Sequence, residues 1–223
     1  MLCTKKITIN FRLTYVYTDW YNCVAKEKSG RGDMDKRGTI LNCAIELFYE
    51  KGYDAVGVQE IAASAGVTKP TLYYYFKSKY GLLECILETY YKAFLDKLEE
   101  VTVYEGDVPK TLQRTCRAYL SMALENKKVY FLIVSMMYSA RGNDTYKAVQ
   151  PYMLRTHEIM VQLFEKASYS LGNMNGRQRQ FASSFEGVIN FYLMYYFERQ
   201  EHWIDIDRVS ESLVRQFMHG IYS

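Results

Sequence analysis

The chain has 223 residues, 49% of them hydrophobic and 24% charged, enough to bury the core of one large domain or of a small domain joined to a larger one. Its longest apolar runs, YFLIVSMMYSA from Tyr130 and VINFYLMYYF from Val188, fall short of the roughly 18–20 residues that span a bilayer, so no membrane anchor is expected. The formal charge of +3 resides in residues 1–33, with six basic and three acidic side chains, and leaves 22 of each sign in residues 34–223, so any anion-binding surface must come from local placement.

The five cysteines, Cys3, Cys23, Cys43, Cys85 and Cys116, are widely spaced and form no CxxC pair. Neither a disulfide framework nor a metal site is therefore expected, and a reducing cytoplasm fits best. Residues 1–33 lack the apolar core and cleavage site of a secretory signal. Their period-two pattern Ile7, Ile9, Phe11, Leu13, Tyr15, Tyr17 reads as a strand without a partner, followed by a Ser-Gly-Arg-Gly-Asp linker. Met34 stands directly before the first helix signal, which predicts a translation start there and a flexible or non-native segment before it.

After residue 34 the pattern is helical throughout. Asp35 is a candidate N-cap for a first helix with Ile40, Leu41, Ala44, Ile45, Leu47 and Phe48 on one face, stopped by Gly52. Gly57 caps a short second helix carrying Val58, Ile61, Ala62 and Ala65, which Gly66 ends, and Thr68 caps a third. A longer helix starts at Ser78 and runs to about Glu100, with Leu82, Leu83, Ile86, Leu87, Tyr90, Phe94, Leu95 and Leu98 on its apolar stripe. Further helices are expected near 109–126, 128–140, 144–171, 177–200 and 206–221, with Pro151 kinking or dividing the one that contains it.

The stretch GVTKPTLYYYFKSK, residues 66–79, carries the chemistry. Small Ala62 where two short helices must approach, Gly66 at the turn, then buried Val67, Leu72 and Phe76 make a helix-turn-helix pattern. Pro70 fits the second position of the third helix, where its missing N–H has no intrahelical partner in any case. That first turn then faces outward. Lys69 can donate to guanine, Thr71 can donate or accept, and the Pro70 ring or Thr71 methyl can pack on a thymine methyl. Tyr74, three residues beyond Thr71, continues the groove face, while Tyr73 and Tyr75 flank it and can donate to phosphates. Lys79 adds a cation beside the exposed N–H groups of the next helix.

The segment GYDAVGVQEIAASAGVTKPTLYYYFKSKYGLL, residues 52–83, closely resembles the DNA-binding domain of TetR/AcrR-family transcriptional regulators, and the helical remainder is similar in length to their ligand-binding and dimerisation domain. The resemblance implies an all-α chain in three parts: an extension over 1–33, a three-helix helix-turn-helix domain over 34–80 and a larger helical domain over 81–223. It places Gln59, Lys69, Pro70, Thr71 and Tyr74 at base-contacting positions and Tyr73, Tyr75 and Lys79 at phosphate-contacting ones. Gly57 departs from the family pattern, which often has a hydroxyl residue there.

The larger part is rich in aromatic residues and methionine, and the resemblance implies a pocket there for a small hydrophobic or aromatic effector. Candidate lining residues are Tyr90, Phe94, Tyr119, Met122, Met137, Met160, Phe185, Glu186 and Tyr192. Glu186 lies in an apolar run, where an unpaired carboxylate is costly. It either meets a cationic ligand or faces solvent or a Lys or Arg. His157, without a second ligand at metal spacing, reads as a structural hydrogen-bonder. The last two helices offer more apolar surface than one packing partner needs, with Gly187, Phe191, Tyr195, Leu213 and Phe217 as the candidate face of a homodimer. The leading expectation is a dimeric repressor on double-stranded operator DNA, released by its effector. The alternatives are a DNA-binding dimer without a ligand and an enzyme, for which no nucleophile motif, phosphate loop, metal set or cofactor signature is present.

Overall fold

A computed structural model describes residues 31–172, 174, 176–199 and 204–220, with side chains from residue 36 onward. The strand pattern of residues 7–17 lies outside the described residues. Within them every regular element is helical. Helix α1, Arg31–Lys51, begins before the expected cap at Asp35, because nothing at Arg31–Asp33 forbids helical backbone and the apolar face starts only at Ile40. Gly52, at φ +80°, ends it.

Helix α2, Val58–Ser64, packs against α1 and against α3, Lys69–Phe76, while α1 and α3 both pack against α4, Lys79–Ile86. Ile40, Leu41, Ala44 and Phe48 of α1 meet Ile61 and Ala62 of α2, Leu72 and Phe76 of α3 and Leu82, Leu83 and Ile86 of α4 in a core closed to solvent. Full burial of one such leucine contributes about 2 kcal/mol. Val67, expected to be buried, is only half-buried, since it sits in the turn rather than on a helix face.

The long helix expected from Ser78 to Glu100 is not uniform. After α4 the backbone passes through a π-turn, Leu87–Tyr91, into α5, Lys92–Val101. The wider turn carries the apolar stripe onto Tyr91, which is 4% exposed, and leaves the expected Tyr90 half-buried. Then follow α6, Val108–Glu125; α7, Lys127–Met137; α8, Asp144–Lys166; a 3₁₀ turn, Ser168–Ser170; α9, Gln178–Glu198; and α10, Ile206–His219. Pro151 neither divides α8 nor ends it. It sits on the exposed face, so the carbonyl it deprives of an N–H turns toward water.

The larger set of helices packs α6 between α5 and α10, α8 between α7 and α9, and α5 against α8. It meets the smaller set along α1 and α7, where Lys128 pairs with Glu46 and the Tyr49 and Phe131 rings lie 6.2 Å apart. A second junction joins α4 to α8.

Candidate functional site

Two turns decide how α3 is presented. Between α2 and α3, the Val67 N–H bonds the Ala62 carbonyl at 3.0 Å and the Gly66 N–H bonds the Ala63 carbonyl at 3.1 Å, with Gly66 at φ +64°. This paired closure satisfies the last carbonyls of α2, and its left-handed residue is cheapest as glycine. Thr68 then caps α3, its Oγ1 accepting from the Thr71 N–H at 3.3 Å, with Pro70 at the second helical position.

Between α3 and α4 there is almost no chain. Lys77 takes φ +64° and ψ −39°, and the Ser78 N–H bonds the Phe76 carbonyl at 2.7 Å. That is a γ-turn of the strained, positive-φ kind, borne here by a lysine. The Ser78 hydroxyl accepts from the Gly81 N–H at 2.8 Å, which caps α4. Gly81 was not singled out by the sequence, yet a Cβ there would lie 2.2 Å from the Phe76 carbonyl oxygen. The junction holds α3 at a set angle to α4.

On this frame, Gln59, Lys69 and Pro70 are exposed, Tyr74 is 67% exposed and Tyr73 39% exposed. Lys69, Pro70, Tyr73 and Tyr74 face outward at the start and middle of α3, and Gln59 is exposed at the start of α2. Lys69 lies 5.8 Å above the Tyr73 ring and Lys77 5.9 Å from the Tyr74 ring, so the two tyrosines are flanked by cations. Thr71 is half-buried and its hydroxyl is 2.8 Å from that of Thr68, so it has a partner inside the protein. Tyr75 is half-buried against the core, its ring edge-on to Tyr74 at 5.1 Å.

Lys79, expected to contact a phosphate, is also engaged inside the protein. Its ammonium donates to the carbonyls of Tyr53 and Val56 at 3.0 and 3.1 Å and lies 4.2 Å over the Tyr53 ring, clasping the α1–α2 connection to α4. Burial, then Asp144 and Asp54, pushes the Tyr53 phenol up to about 12, so the ring under the ammonium stays neutral. Replacing Lys79 with alanine is expected to destabilise the fold by about 1–2 kcal/mol without changing the salt dependence of DNA binding. Lys69→Ala is expected to leave the melting temperature in place and to reduce the slope of log affinity against log salt by about one. Thermal melts and salt titrations on both variants separate the two roles.

Residues 40–86, which span this frame, match the family described as bacterial regulatory proteins of the tetR family. This segment is a TetR-family DNA-binding domain. The chain is 31% identical over 99 residues to the transcriptional activator FasR of Mycolicibacterium smegmatis, covering 44% of this chain and 45% of that one. To the transcriptional repressor ComR of Escherichia coli it is 35% identical over 82 residues, 37% and 39% of the two chains. Each match thus spans less than half the relative's length. Over more of the chain the likeness is one of fold. The FadR regulator of Bacillus subtilis, solved with stearoyl-CoA, superposes with a TM-score of 0.68 at 20% identity, over 82% of this chain and 98% of that one. AibR, solved with isovaleryl coenzyme A and operator DNA, superposes with a TM-score of 0.67 at 19% identity, over 82% and 98%.

The candidate pocket residues lie in or against the core of the larger set of helices and differ in burial. Phe94, Tyr119, Met160 and Phe185 are buried, and the Phe94 and Tyr119 rings meet edge-on at 4.8 Å. Tyr90, Met122, Met137 and Tyr192 are half-buried. A surface groove of about 200 Å³ between α5 and α8, crossed by the Arg155–Glu99 ion pair, contains none of them. Glu186 does not face a Lys or Arg. Its Oε2 lies 3.0 Å from His157 Nδ1, a pairing across 29 positions of sequence that no spacing rule announces. Burial raises the Glu186 carboxyl above its ordinary range, and the His157 contact works against that. No group of three or more metal-ligating side chains occurs, and no helix is long and apolar enough to cross a membrane, among the described residues.

The candidate dimer face also divides. Leu213 is buried inside the protomer, and the Phe217 ring packs on Phe185 at 4.9 Å, on Phe164 at 6.0 Å and on Phe181 at 6.2 Å. Leu213 is a core residue and Phe217 is half-buried against that core, because α10 turns its apolar side toward α6 and the aromatic cluster. Gly187, Phe191 and Tyr195 of α9 are exposed, Phe191 at 71% and Tyr195 at 56%, with Met194 beside them at 40%.

Proposed function

We propose that this regulator is a transcriptional repressor that binds a palindromic operator as a homodimer and is released by a small hydrophobic effector. The reading rests on one observation: the outward turn of α3 offers Lys69, Pro70, Tyr73 and Tyr74 to solvent on a helix whose two ends are locked by short, hydrogen-bonded turns. Such a surface suits a major groove, where the cation and hydroxyls read base edges and the proline ring packs on a methyl. Gln59 and Thr71 complete the base-facing set, and Tyr75 borders it.

The exposed strip of α9 supports the dimer. Its N-terminal half carries the small Ser183, Ser184 and Gly187, and its C-terminal half carries Phe191, Met194 and Tyr195. An antiparallel pairing about a twofold axis near position 189 sets Gly187 against Phe191, Ser184 against Met194 and Ser183 against Tyr195 of a second copy. Each large side chain meets a small one, which is what a self-complementary interface requires. Two recognition helices would then reach half-sites about one helical turn apart.

An effector acts by favouring the dimer geometry that fits DNA less well. The acyl-CoA ligands of FadR and AibR support a hydrophobic effector. The name of ComR supports repression. The test is selection of genomic fragments by the purified full chain, followed by sequencing and salt titration. A palindrome with two half-sites, and reduced transcription from a promoter that contains it, is expected. Sequence-blind binding at all salt concentrations would remove the operator reading, and enhanced transcription would replace repressor with activator. In the same assay Tyr74→Ala is expected to weaken operator binding by about 1–2 kcal/mol and to change the preferred bases at two matching positions, with a stability change within about 0.5 kcal/mol.

A further inference from the structure

The two turns that flank α3 both need a left-handed residue, and they fill that need differently. Gly66 stands before the helix and Lys77 after it, each at φ +64°. Among the described residues Lys77 is the only one other than glycine with positive φ. Glycine takes that conformation without steric cost, whereas a side chain there is strained, so a lysine at this point calls for a reason.

The position of its ammonium supplies one. Lys77 is exposed, and its Nζ donates to the Tyr74 carbonyl at 3.2 Å and lies 5.9 Å from the Tyr74 ring, which is itself 67% exposed on the outward face of α3. Lys51, Lys92, Lys97 and Lys128 pair with carboxylates, and Lys79 holds two carbonyls. Lys77 pairs with no carboxylate among the described residues. An ammonium has three N–H donors, and the Tyr74 carbonyl takes one, which leaves donors for an anion.

Reach points to the same partner. From Lys69 to Lys77 the chain advances about 12 Å along a helix axis, and the major groove is about 12 Å wide. With the first turn of α3 at base edges, its far end stands at the groove wall, where the phosphates are.

We propose that Lys77 is a phosphate contact of the DNA-binding surface, and that its left-handed turn is retained because it holds this ammonium beside Tyr74. The proposal rests on the reading of α3 as the helix that enters the major groove. Such a contact carries no base preference and fixes how the helix sits in the groove.

The experiment compares the full chain with Lys77→Gln, Lys77→Gly and Lys77→Arg, using thermal melts and salt titrations of two duplexes: the genomic fragment recovered by selection and a scrambled sequence of the same length. Lys77→Gln and Lys77→Gly are expected to lower the slope of log affinity against log salt by about one for each bound protomer, on both duplexes. Lys77→Arg is expected to keep the slope. Lys77→Gly is expected to melt about 2–5 °C above Lys77→Gln, because both lack the ammonium and only glycine relieves the turn. An unchanged slope in folded Lys77→Gln overturns the proposal and leaves Lys77 as a cap of the α3 carbonyls. Weakening confined to the selected fragment also overturns it, since that is the signature of a base contact. Equal melting of the glutamine and glycine variants overturns the account of the strained turn. If selection recovers no fragment while the slope on the scrambled duplex still falls, the operator reading is removed and the phosphate contact stands.

Discussion

Gly81→Ala should destabilise the protein by about 3 kcal/mol, although alanine favours a helix over glycine by about 1 kcal/mol. The added methyl would stand 2.2 Å from the Phe76 carbonyl oxygen, a backbone atom that cannot rotate away. That oxygen also accepts the Ser78 N–H that closes the γ-turn at Lys77. Relief therefore requires either loss of this bond or displacement of α3 relative to α4, and Phe76 is fully engaged in the core. A melting temperature lower by about 10 °C is expected, with operator affinity falling further than the unfolded fraction explains, because the recognition helix is re-angled. Gly142→Ala is the control, since a Cβ there meets nothing within 4 Å. Equal melting temperatures for the two variants would show that the junction is slack and that α3 is not held by it.

Phe191→Asp should abolish the proposed α9 dimer and lower operator affinity by about 100-fold or more, because each half-site must then be bound without the concentrating effect of a linked partner. The side chain is 71% exposed in the protomer, so the substitution costs the isolated fold little. Two aspartates brought against the partner's Gly187 region would be buried without counter-charges. Sedimentation should report a monomer, and the melting temperature at low protein concentration should be close to that of wild type. A dimer that persists in Phe191→Asp would place the interface elsewhere. Leu213→Asp makes the contrast: as a core residue it should unfold the protomer rather than dissociate the dimer.

The helix-turn-helix was legible because its determinants are local. Ala62, Gly66, Thr68 and Pro70 each act within a turn of their own backbone, and the caps and the left-handed turn that they require are present. Leu72 and Phe76 follow from helical spacing and are buried. The surface residues of α3 were legible for the same reason, apart from Tyr75 and Thr71, whose partial burial depends on how α3 leans on its neighbours.

Lys79 shows where local reading ends. A lysine at a helix N-terminus suggests an anion, and only the folded α1–α2 connection reveals two carbonyls within its reach. Leu213 and Phe217 carry the same apolar signal as Phe191 and Tyr195. Periodicity marks an apolar face but does not name what covers it, and here α10 spends that face inside the protomer while α9 leaves part of its own outside.

Composition and short-range pattern alone thus determine the all-helical class, the helix positions and the identity of the helix-turn-helix, since capping, helical period and turn chemistry are properties of neighbouring residues. Tertiary structure alone decides that Gly81 has no room for a Cβ, that the helix after α3 widens into a π-turn at Tyr91, and that Glu186 meets His157 beside Tyr119. Each of those depends on atoms far apart in the chain, whose approach is set by the packing of whole helices.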